Sequence, residues 1–264
     1  MGNTVMIFSP HPDDAEYYAG GTLAKMIQEG AKAYIVTVTD GRVGSFDYDS
    51  QTLASIRAEE ARQAARVLGA EPPIFLNHPD MGLDQLPPGL LREQFICLIR
   101  QYQPDIVIAE DAYNGIEVHP DHRAVAWAVS DAVSSAMLPL VHPEHLAEGL
   151  SAHFVKEKYF YTDPSNASNK LIDITQTMSV KLAALAEHKS QMKFLIEDIL
   201  VQFQAAGMDA KALVGDLLDD PAVSIAWALQ IQAAQLGQEI NVQFAEGFRY
   251  NRFHPIVEGL IPHE

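Results

Sequence analysis

The chain has 264 residues, of which 48% are hydrophobic and 20% charged, the proportions of a folded globular protein rather than a disordered one. Its formal net charge of −17 disfavours nucleic acid as a partner, because phosphate backbones are also negative. A single cysteine, Cys97, predicts a reducing, cytoplasmic location, and no apolar run or leader pattern predicts a membrane span or a signal peptide.

The first half of the chain alternates short apolar runs with helical patterns. Strands are predicted over residues 4–8, 33–39, 73–76 and 105–109, and helices over 21–28, 55–68, 90–101 and 121–133. Such β–α alternation is typical of a parallel sheet between helices. We therefore predict an α/β fold: a Rossmann-like, mostly parallel sheet with helices on both faces.

The second half is less regular and predicts a C-terminal α+β extension. Strands are expected over residues 154–162, 171–174 and 241–245. Helices are expected over 178–188 and over most of 191–238, with breaks near Gly207 and residues 219–221. We expect a single domain over 1–264 with one shared core. Within it, residues 1–150 form the Rossmann-like half, and residues 151–264 complete the site and an interface.

Polar segments follow the first, second and fourth predicted strands. Residues 9–14 come after the first strand, 39–42 after the second, and 110–122 after the fourth. Ligands of open parallel sheets bind beyond the carboxyl ends of the strands, and strands 1 and 4 are neighbours in the usual order. The His/Asp clusters at 11–14 and 119–122 are therefore expected to converge.

Imidazole and carboxylate ligands without cysteine suit zinc or another divalent transition metal. One His and one Asp from the first cluster plus one His from the second would supply three ligands and leave an open position. A spare carboxylate could accept a proton, and a spare His could stabilise an oxyanion. His-Pro-Asp triplets also occur in ordinary turns, and the chain has another at residues 78–80. From spacing alone both interpretations stay open.

Several motifs resemble one family. His11-Pro12-Asp13-Asp14-Ala15-Glu16, residues 20–24 and His119-Pro120-Asp121-His122 resemble the motifs of the LmbE-like/PIG-L family of zinc-dependent N-acetyl-sugar deacetylases. The match continues through residues 39–41, 56–60, 68–69, 188–191 and 245–249 and omits roughly 193–240. The last segment and the chain length are most similar to the diacetylchitobiose-deacetylase branch.

The resemblance implies a zinc site and its catalytic neighbours. It implies one zinc ion per chain, held by His11, Asp14 and His122, with other divalent transition metals as alternatives. Asp13 would be the general base. His119 would face the tetrahedral intermediate as imidazolium. Either Asp13 or His119 could protonate the leaving amine.

Three further residues receive roles from the resemblance. Asp121 would orient or charge a catalytic histidine, and Arg57 matches an arginine that contacts substrate. Asp80 matches a polar site residue, with a plain turn residue as the alternative.

Other prominent residues are interpreted as structural. His188 is expected at the C-terminal end of a helix, where a positive ring complements the helix dipole. Trp127 and Trp227 lie in helical apolar patterns and are expected in the core. Gly20 and Gly21 lack a phosphate-loop spacing and are expected to allow close helix–strand packing.

The resemblance also bears on assembly. The similar chitobiose deacetylases are oligomers in which a C-terminal histidine reaches the active site of a neighbouring subunit. His254 falls near the matching position, although the spacing after Phe248 differs by a few residues. We expect a homo-oligomer, with a hexamer as the specific suggestion, and His254 near a partner's metal and substrate. The alternative is a surface histidine in a loose tail.

The predicted activity is hydrolysis of the N-acetyl group of an N-acetylglucosamine-type sugar or glycoconjugate, which releases acetate and a free amine. One alternative is a zinc-dependent hydratase of an unsaturated dicarboxylic acid on the same fold. It would need several basic residues, whereas the motifs offer chiefly Arg57, with Arg42 as a second. A non-catalytic sugar-binding module is the other alternative, and it predicts loss of the base or of a ligand.

Overall fold

The computed structural model describes residues 2–115, 117–161 and 168–261. These residues build one seven-stranded sheet with helices on both faces, which confirms the predicted fold class. The strands are β1 (Thr4–Ser9), β2 (Lys32–Thr39), β3 (Ile74–His78), β4 (Ile106–Glu110), β5 (Glu157–Tyr161), β6 (Lys170–Asp173) and β7 (Ala245–Asn251).

Ten α-helices accompany the strands in the part of the chain that is described. They are α1 (Asp14–Gln28), α2 (Ser50–Leu68), α3 (Leu90–Tyr102), α4 (Pro120–Ser135), α5 (Pro143–Ala147), α6 (Met178–Leu185), α7 (Lys189–Ala205), α8 (Ala210–Val214), α9 (Pro221–Glu239) and α10 (Pro255–Glu258). Short 3₁₀ helices cover Leu83–Gln85 and Gly215–Asp219.

The strand order is β3-β2-β1-β4-β5-β7-β6. The five strands from β3 to β5 are parallel, and β7 lies antiparallel between β5 and β6. The chain reverses its direction of winding between β1 and β4, so a crevice opens at the carboxyl ends of these two strands. The two His/Asp clusters follow those strands.

Strand β1 shows how the two faces of the sheet are covered. Val5 and Ile7 point towards the cluster formed with α1, α2 and α6, whereas Met6 and Phe8 point towards the cluster formed with α3 and α4. This is the period of two that a strand imposes. All four side chains are fully buried, because a parallel sheet is covered on both faces.

Residues from both halves of the chain share the core. Tyr159 and Phe248 pack in the same cluster as Val5 and Leu23. A further cluster joins α6, α7 and α9 beside the sheet. The expected single domain over 1–264 and its division near residue 150 stay predictions.

Three predicted boundaries in the second half are wrong. The last strand was expected at 241–245, but Asn241 takes a left-handed conformation (φ 58°) after α9, and pairing begins at Ala245. Helix α6 ends at Leu185, so His188 precedes the N-terminus of α7 and does not complement a helix C-terminus. Of the strand predicted over 154–162, residues 157–161 form β5, and Thr162 lies outside the described residues.

Helix α1 begins at Asp14, seven residues earlier than predicted, and is held against α6 through its glycines. A Cβ at Gly20 would lie 3.1 Å from Lys181 Cγ, and one at Gly21 would lie 2.7 Å from Ile174 Cδ1. The expected close packing is present, but its partners are α6 and the residue Ile174 before it. Helix α1 begins with Asp14, a predicted metal ligand, so this contact positions the site.

The interpretation of the two tryptophans as core residues is also wrong. Trp127 is 48% exposed on α4, and Trp227 is 52% exposed on α9. Each helix buries a different face of its apolar pattern. Among the described residues, no helix is both long and apolar enough to cross a membrane.

Candidate metal centre and active site

The turn between β1 and α1 is shaped by its own side chains. Ser9 Oγ donates to the His11 carbonyl at 2.7 Å and accepts from Ala15 N at 3.1 Å. Asp14 Oδ2 accepts from His11 N at 2.7 Å. These local bonds hold the His11 and Asp14 side chains together at the carboxyl end of β1.

The second cluster lies at the start of α4. The His119 side chain caps this helix, since its Nδ1 accepts from Asp121 N at 3.2 Å. Pro120 occupies the first turn, where its missing N–H costs no hydrogen bond. His122 is buried one position beyond Asp121. Because β4 pairs with β1, His122 meets the first cluster as predicted.

Three side-chain atoms form a nearly regular triangle. His11 Nδ1 lies 3.1 Å from His122 Nε2 and 3.4 Å from Asp14 Oδ2, and the latter two atoms are 3.5 Å apart. Ligands placed tetrahedrally at zinc-typical bond lengths are separated by about 3.3 Å. The triangle therefore fits a zinc-sized ion and leaves a fourth position open.

Carboxylates hold the outer edges of both imidazole rings. His11 Nε2 donates to Asp80 Oδ1 at 3.0 Å, and His122 Nδ1 donates to Glu110 Oε2 at 2.7 Å. An ionised carboxylate can only accept, so the outer nitrogens keep their protons. Each inner nitrogen is then the one that can exchange a proton for a metal ion, as in metal-binding histidines generally.

Within the triangle, the carboxylate of Asp14 and the rings of His11 and His122 stabilise each other's charged forms. Burial alone would raise the pKa of Asp14, but the charges of His122 and His11 hold it well below its usual range. Burial would lower the pKa of His122, yet Asp14 and Glu110 raise it to about 9. A cation entering this cluster would replace the positive charge of bound protons.

Asp13 adjoins the triangle but has different partners. Its backbone is strained, with φ 127°, a conformation that costs about 1–3 kcal/mol for a non-glycine residue. Arg57 Nη2 donates at 2.7 Å to both Asp13 Oδ1 and the Pro12 carbonyl. Burial raises the pKa of Asp13 to about 6, against the opposing charge of Arg57. A carboxylate with a pKa near neutrality suits a general base.

The His119 ring meets the His11 ring edge-on, with 4.6 Å between centroids. Burial lowers the pKa of His119, and the charges of His11 and His122 act in the same direction. The resting site thus favours the neutral imidazole. The imidazolium form expected from the resemblance stays a prediction.

Asp121 packs beside His11, and its expected role of orienting or charging a catalytic histidine stays a prediction. It is fully buried, and its carboxylate accepts from Met81 N at 2.6 Å and Leu83 N at 3.0 Å. It lies 3.6 Å from His11 Nε2 and contacts His119 through its backbone N–H. Asp121 thus faces the ligand His11, because the start of α4 turns its side chain towards the loop after β3.

Two other predicted residues also reach the site. Asp80 contacts His11 and accepts from Val43 N at 3.2 Å, so it is more than a turn residue. Arg57 is 3% exposed, and its contacts are to Asp13, Pro12 and the Gly41 carbonyl. The geometry shows Arg57 holding Asp13, and its contact with substrate stays a prediction.

These residues open into one cavity of about 400 Å³. Its walls come from the two clusters, from the loops after β2 and β3, and from α1, α2 and α7: His11, Asp13, Asp14, Tyr17, Tyr18, Val43, Gly44, Arg57, Asp80, Met81, His119, His122, Gln191, Phe194 and Leu195. His254 does not line this cavity of its own chain and is exposed. The volume is in the range of small-molecule sites.

Sequence reasoning missed several of these residues. Glu110 is the last residue of β4, and its position at a strand end was the available signal. Tyr17 and Tyr18 lie in the unpredicted first turns of α1. Gln191 and Phe194 come from α7, whose approach to the crevice depends on packing between helices.

Comparisons with known proteins agree with this geometry. A profile of the PIG-L family, described as GlcNAc-PI de-N-acetylase, matches residues 6–133. The diacetylchitobiose deacetylase of Thermococcus kodakarensis is 34% identical over 190 residues, which cover 71% of this chain and 69% of that protein.

Solved structures extend the likeness to nearly the whole chain. The N,N'-diacetylchitobiose deacetylase of Pyrococcus horikoshii, in complex with its inhibitor MPG, superposes with a TM-score of 0.76 at 28% identity, covering 98% of this chain and 89% of that one. The 4-carboxy-2-hydroxymuconate hydratase of Pseudomonas putida KT2440 gives a TM-score of 0.70 at 17% identity, covering 96% and 97%, which shows a shared fold alone.

The fold and the three-ligand cluster define a Rossmann-like protein with a candidate metal centre at its topological switch point. The chain belongs to the PIG-L family of de-N-acetylases.

Proposed function

We propose that this protein is a zinc-dependent N-deacetylase. It hydrolyses the N-acetyl group of an N-acetylglucosamine-type sugar or glycoconjugate and releases acetate and a free amine. The observation that carries the proposal is the ligand triangle of His11, Asp14 and His122, with the separately held carboxylate of Asp13 in the same cavity. Two named relatives act on diacetylchitobiose, a sugar of this class.

His11, Asp14 and His122 would hold the zinc ion, and Asp80 and Glu110 would keep the two rings oriented. A zinc ion bound there would supply Lewis acidity, which lowers the pKa of water and polarises a carbonyl.

The chain's own residues supply the proton transfers. Arg57 fixes one oxygen of Asp13, so the carboxylate keeps one orientation while it accepts a proton from the attacking water. His119 lines the same cavity and would donate a hydrogen bond to the oxygen that becomes negative on the acetyl carbon. Asp13 or His119 would then protonate the amine as it leaves.

The cavity disfavours the two alternatives. Among its described lining residues, Arg57 is the one lysine or arginine, and its bonds go to Asp13 and to backbone carbonyls. Arg42 pairs with Asp40 and lines a different depression. A dicarboxylic acid would meet little positive charge. A non-catalytic sugar-binding module would not need the strained, arginine-held Asp13.

Acetate release tests the proposal. The enzyme, stripped of metal and reloaded with zinc, is assayed on diacetylchitobiose, on monosaccharide N-acetyl sugars and on an unsaturated dicarboxylic acid. We expect acetate and a new amine from a sugar, with zinc restoring activity. His122→Ala serves as the control for contaminating deacetylases. Zinc-loaded protein that releases no acetate but hydrates the diacid would support the hydratase instead.

We further propose a cytoplasmic homo-oligomer acting on small amino sugars, without nucleic-acid or membrane partners. The single cysteine and the net charge of −17 support this setting. The exposed side chains of Ile256, Val257 and Leu260, at 70%, 45% and 79%, support an interface near the C-terminus. We propose a hexamer with His254 near a partner's site, as in the chitobiose-deacetylase branch.

A further inference from the structure

Helix α9 carries an apolar face that points to solvent. Val223, Trp227 and Ile231, spaced by four residues, are 56%, 52% and 41% exposed. Residues three or four apart share one face of a helix, so these side chains form a single stripe. Residues 221–238 contain no Asp, Glu, Lys or Arg, although the chain is 20% charged.

The inner face of the same helix is already used. Ile225, Leu229 and Ala233 pack in the cluster with α6 and α7. Helix α9 is therefore apolar on two faces, whereas a surface helix normally carries charge outside. Exposed neighbours of the stripe, such as Gln230 and Gln235, are polar but neutral.

We infer that the stripe of Val223, Trp227 and Ile231 binds the same stripe of a second copy of this chain. The two α9 helices lie antiparallel about a two-fold axis at Trp227. Val223 of each copy then faces Ile231 of the other. The inference gives the proposed homo-oligomer one of its interfaces and is independent of the deacetylase activity.

The order of side chains along the stripe indicates a second copy rather than another protein. A β-branched residue stands four positions before Trp227 and another four positions after it. The stripe therefore presents the same sequence of shapes in both directions, and an isologous contact needs this self-complementarity. Trp227 lies at the centre of the stripe, and residues that contribute most to binding, often tryptophans, usually lie near the centre of an interface.

Charge and size agree with this arrangement. Each copy has a net charge of −17, so a face without charged residues lowers the repulsion between two copies that approach through it. A stable interface buries about 800 Å² on each side, more than one helix face of this length provides. The flanking helices α7 and α8 carry exposed Leu200, Val201 and Leu213, which can enlarge the contact.

Changing the central tryptophan tests the interface. Trp227→Glu places a carboxylate of each copy at the axis, so we expect the mass from light scattering to fall to half or less. Trp127→Glu is the matched control, because Trp127 is equally exposed on α4, and it should keep the wild-type mass. A Trp227→Glu protein with the wild-type mass, or a monomeric wild type, overturns the inference.

Disulfide trapping tests the antiparallel register. In a Cys97→Ser background, Val223→Cys combined with Ile231→Cys should form a covalent dimer on oxidation. Each single variant should form at least tenfold less, because its cysteines lie about 12 Å apart along the paired helices. If either single variant forms as much covalent dimer as the double variant, the antiparallel register is wrong. Both readouts are made without substrate, so a failed deacetylase assay leaves them unaffected.

Discussion

Asp13 and Asp14 are chemically identical neighbours with different surroundings. Asp14 lies 3.4–3.5 Å from the inner nitrogens of His11 and His122, whereas Asp13 accepts a 2.7 Å bond from Arg57. Asp13 precedes α1 in an unusual backbone conformation (φ 127°), whereas Asp14 is the first residue of the helix. The geometry therefore supports Asp14 as a metal ligand and Asp13 as a general base, the roles that the resemblance implies.

Replacing the base separates the two roles. We expect Asp13→Asn to bind metal as the wild type does while its turnover falls by about 10²–10⁴-fold, because an amide cannot accept the proton. Metal content and acetate release are measured on the same sample. Asp14→Asn is the matched control and should lose metal. The opposite pattern, with metal lost from Asp13→Asn and kept by Asp14→Asn, would reverse the assignment.

Glu110 is a positioning residue for His122. Its Oε2 accepts from His122 Nδ1 at 2.7 Å in a buried setting. We expect Glu110→Gln to weaken zinc binding by about 10–100-fold, as found for other carboxylates behind a metal-binding histidine. Competition with a chelator measures the affinity. Glu117→Gln, whose carboxylate lies 3.8 Å from the same nitrogen, should have a smaller effect. Equal effects would contradict this role.

At the scale of elements, a buried carboxylate holds α1 in place. Glu246 of β7 accepts from Gly21 N at 3.0 Å and Thr22 N at 2.7 Å, and Lys181 of α6 donates to it at 2.5 Å. Three elements meet at one buried charge pair. Helix α1 brings Asp14 to the site, so this contact joins the C-terminal half to the metal centre.

Removing the cation of this pair tests its contribution to stability. Lys181→Met keeps the length of the side chain but leaves Glu246 buried without a counter-charge, which should lower the free energy of unfolding by about 3–5 kcal/mol. Urea denaturation measures the change. Lys25→Met removes the exposed partner of Glu29 on α1 and should cost less than about 1 kcal/mol. A Lys181→Met protein as stable as Lys25→Met would show that the pair is unimportant.

Most of the parallel half could be predicted because its strands and several helix ends are decided locally, although α1 and α2 begin seven and five residues before the predicted starts. Strand β1 and helix α2 are bounded by turn residues, with Gly69 in the left-handed conformation ending α2. Strand β7 was misplaced, since its pairing between β5 and β6 depends on distant segments. The exposure of Trp127 and Trp227 was also missed. An apolar helical pattern does not tell which face of the helix other parts of the chain cover.

The site, like the fold, could be predicted from the sequence only where local order decides it. Motif residues such as His11 and His122 could be placed at strand ends from the order of elements. The resemblance also pointed to Asp80, but its contact with His11 could not be predicted, because it spans 69 residues and depends on the path of the loop after β3. The contact of Asp121 with His11 could not be predicted either, because the direction of its side chain depends on where α4 begins.

At the scale of the whole molecule, the C-terminal segment is a candidate contribution to a neighbouring site. His254 is exposed, does not line the cavity of its own chain, and precedes the exposed apolar residues Ile256 and Val257. Its Nδ1 accepts from Ile256 N at 3.3 Å, so Nε2 is the ring nitrogen that could contact a substrate or a partner subunit. A histidine presented in this way beside apolar side chains fits delivery to a second subunit.

Mixing two inactive variants tests this arrangement. In a His11→Ala chain the metal site is lost but His254 is intact, whereas a His254→Ala chain has the reverse defect. If His254 acts in the partner's site, mixed oligomers pair an intact metal centre with an intact His254, and acetate release should recover after subunit exchange. Mixing His11→Ala with Asp13→Asn is the control, because both residues belong to one chain's site, and it should restore nothing. A fully active His254→Ala enzyme, or a fully active monomer, would rule out a role in trans.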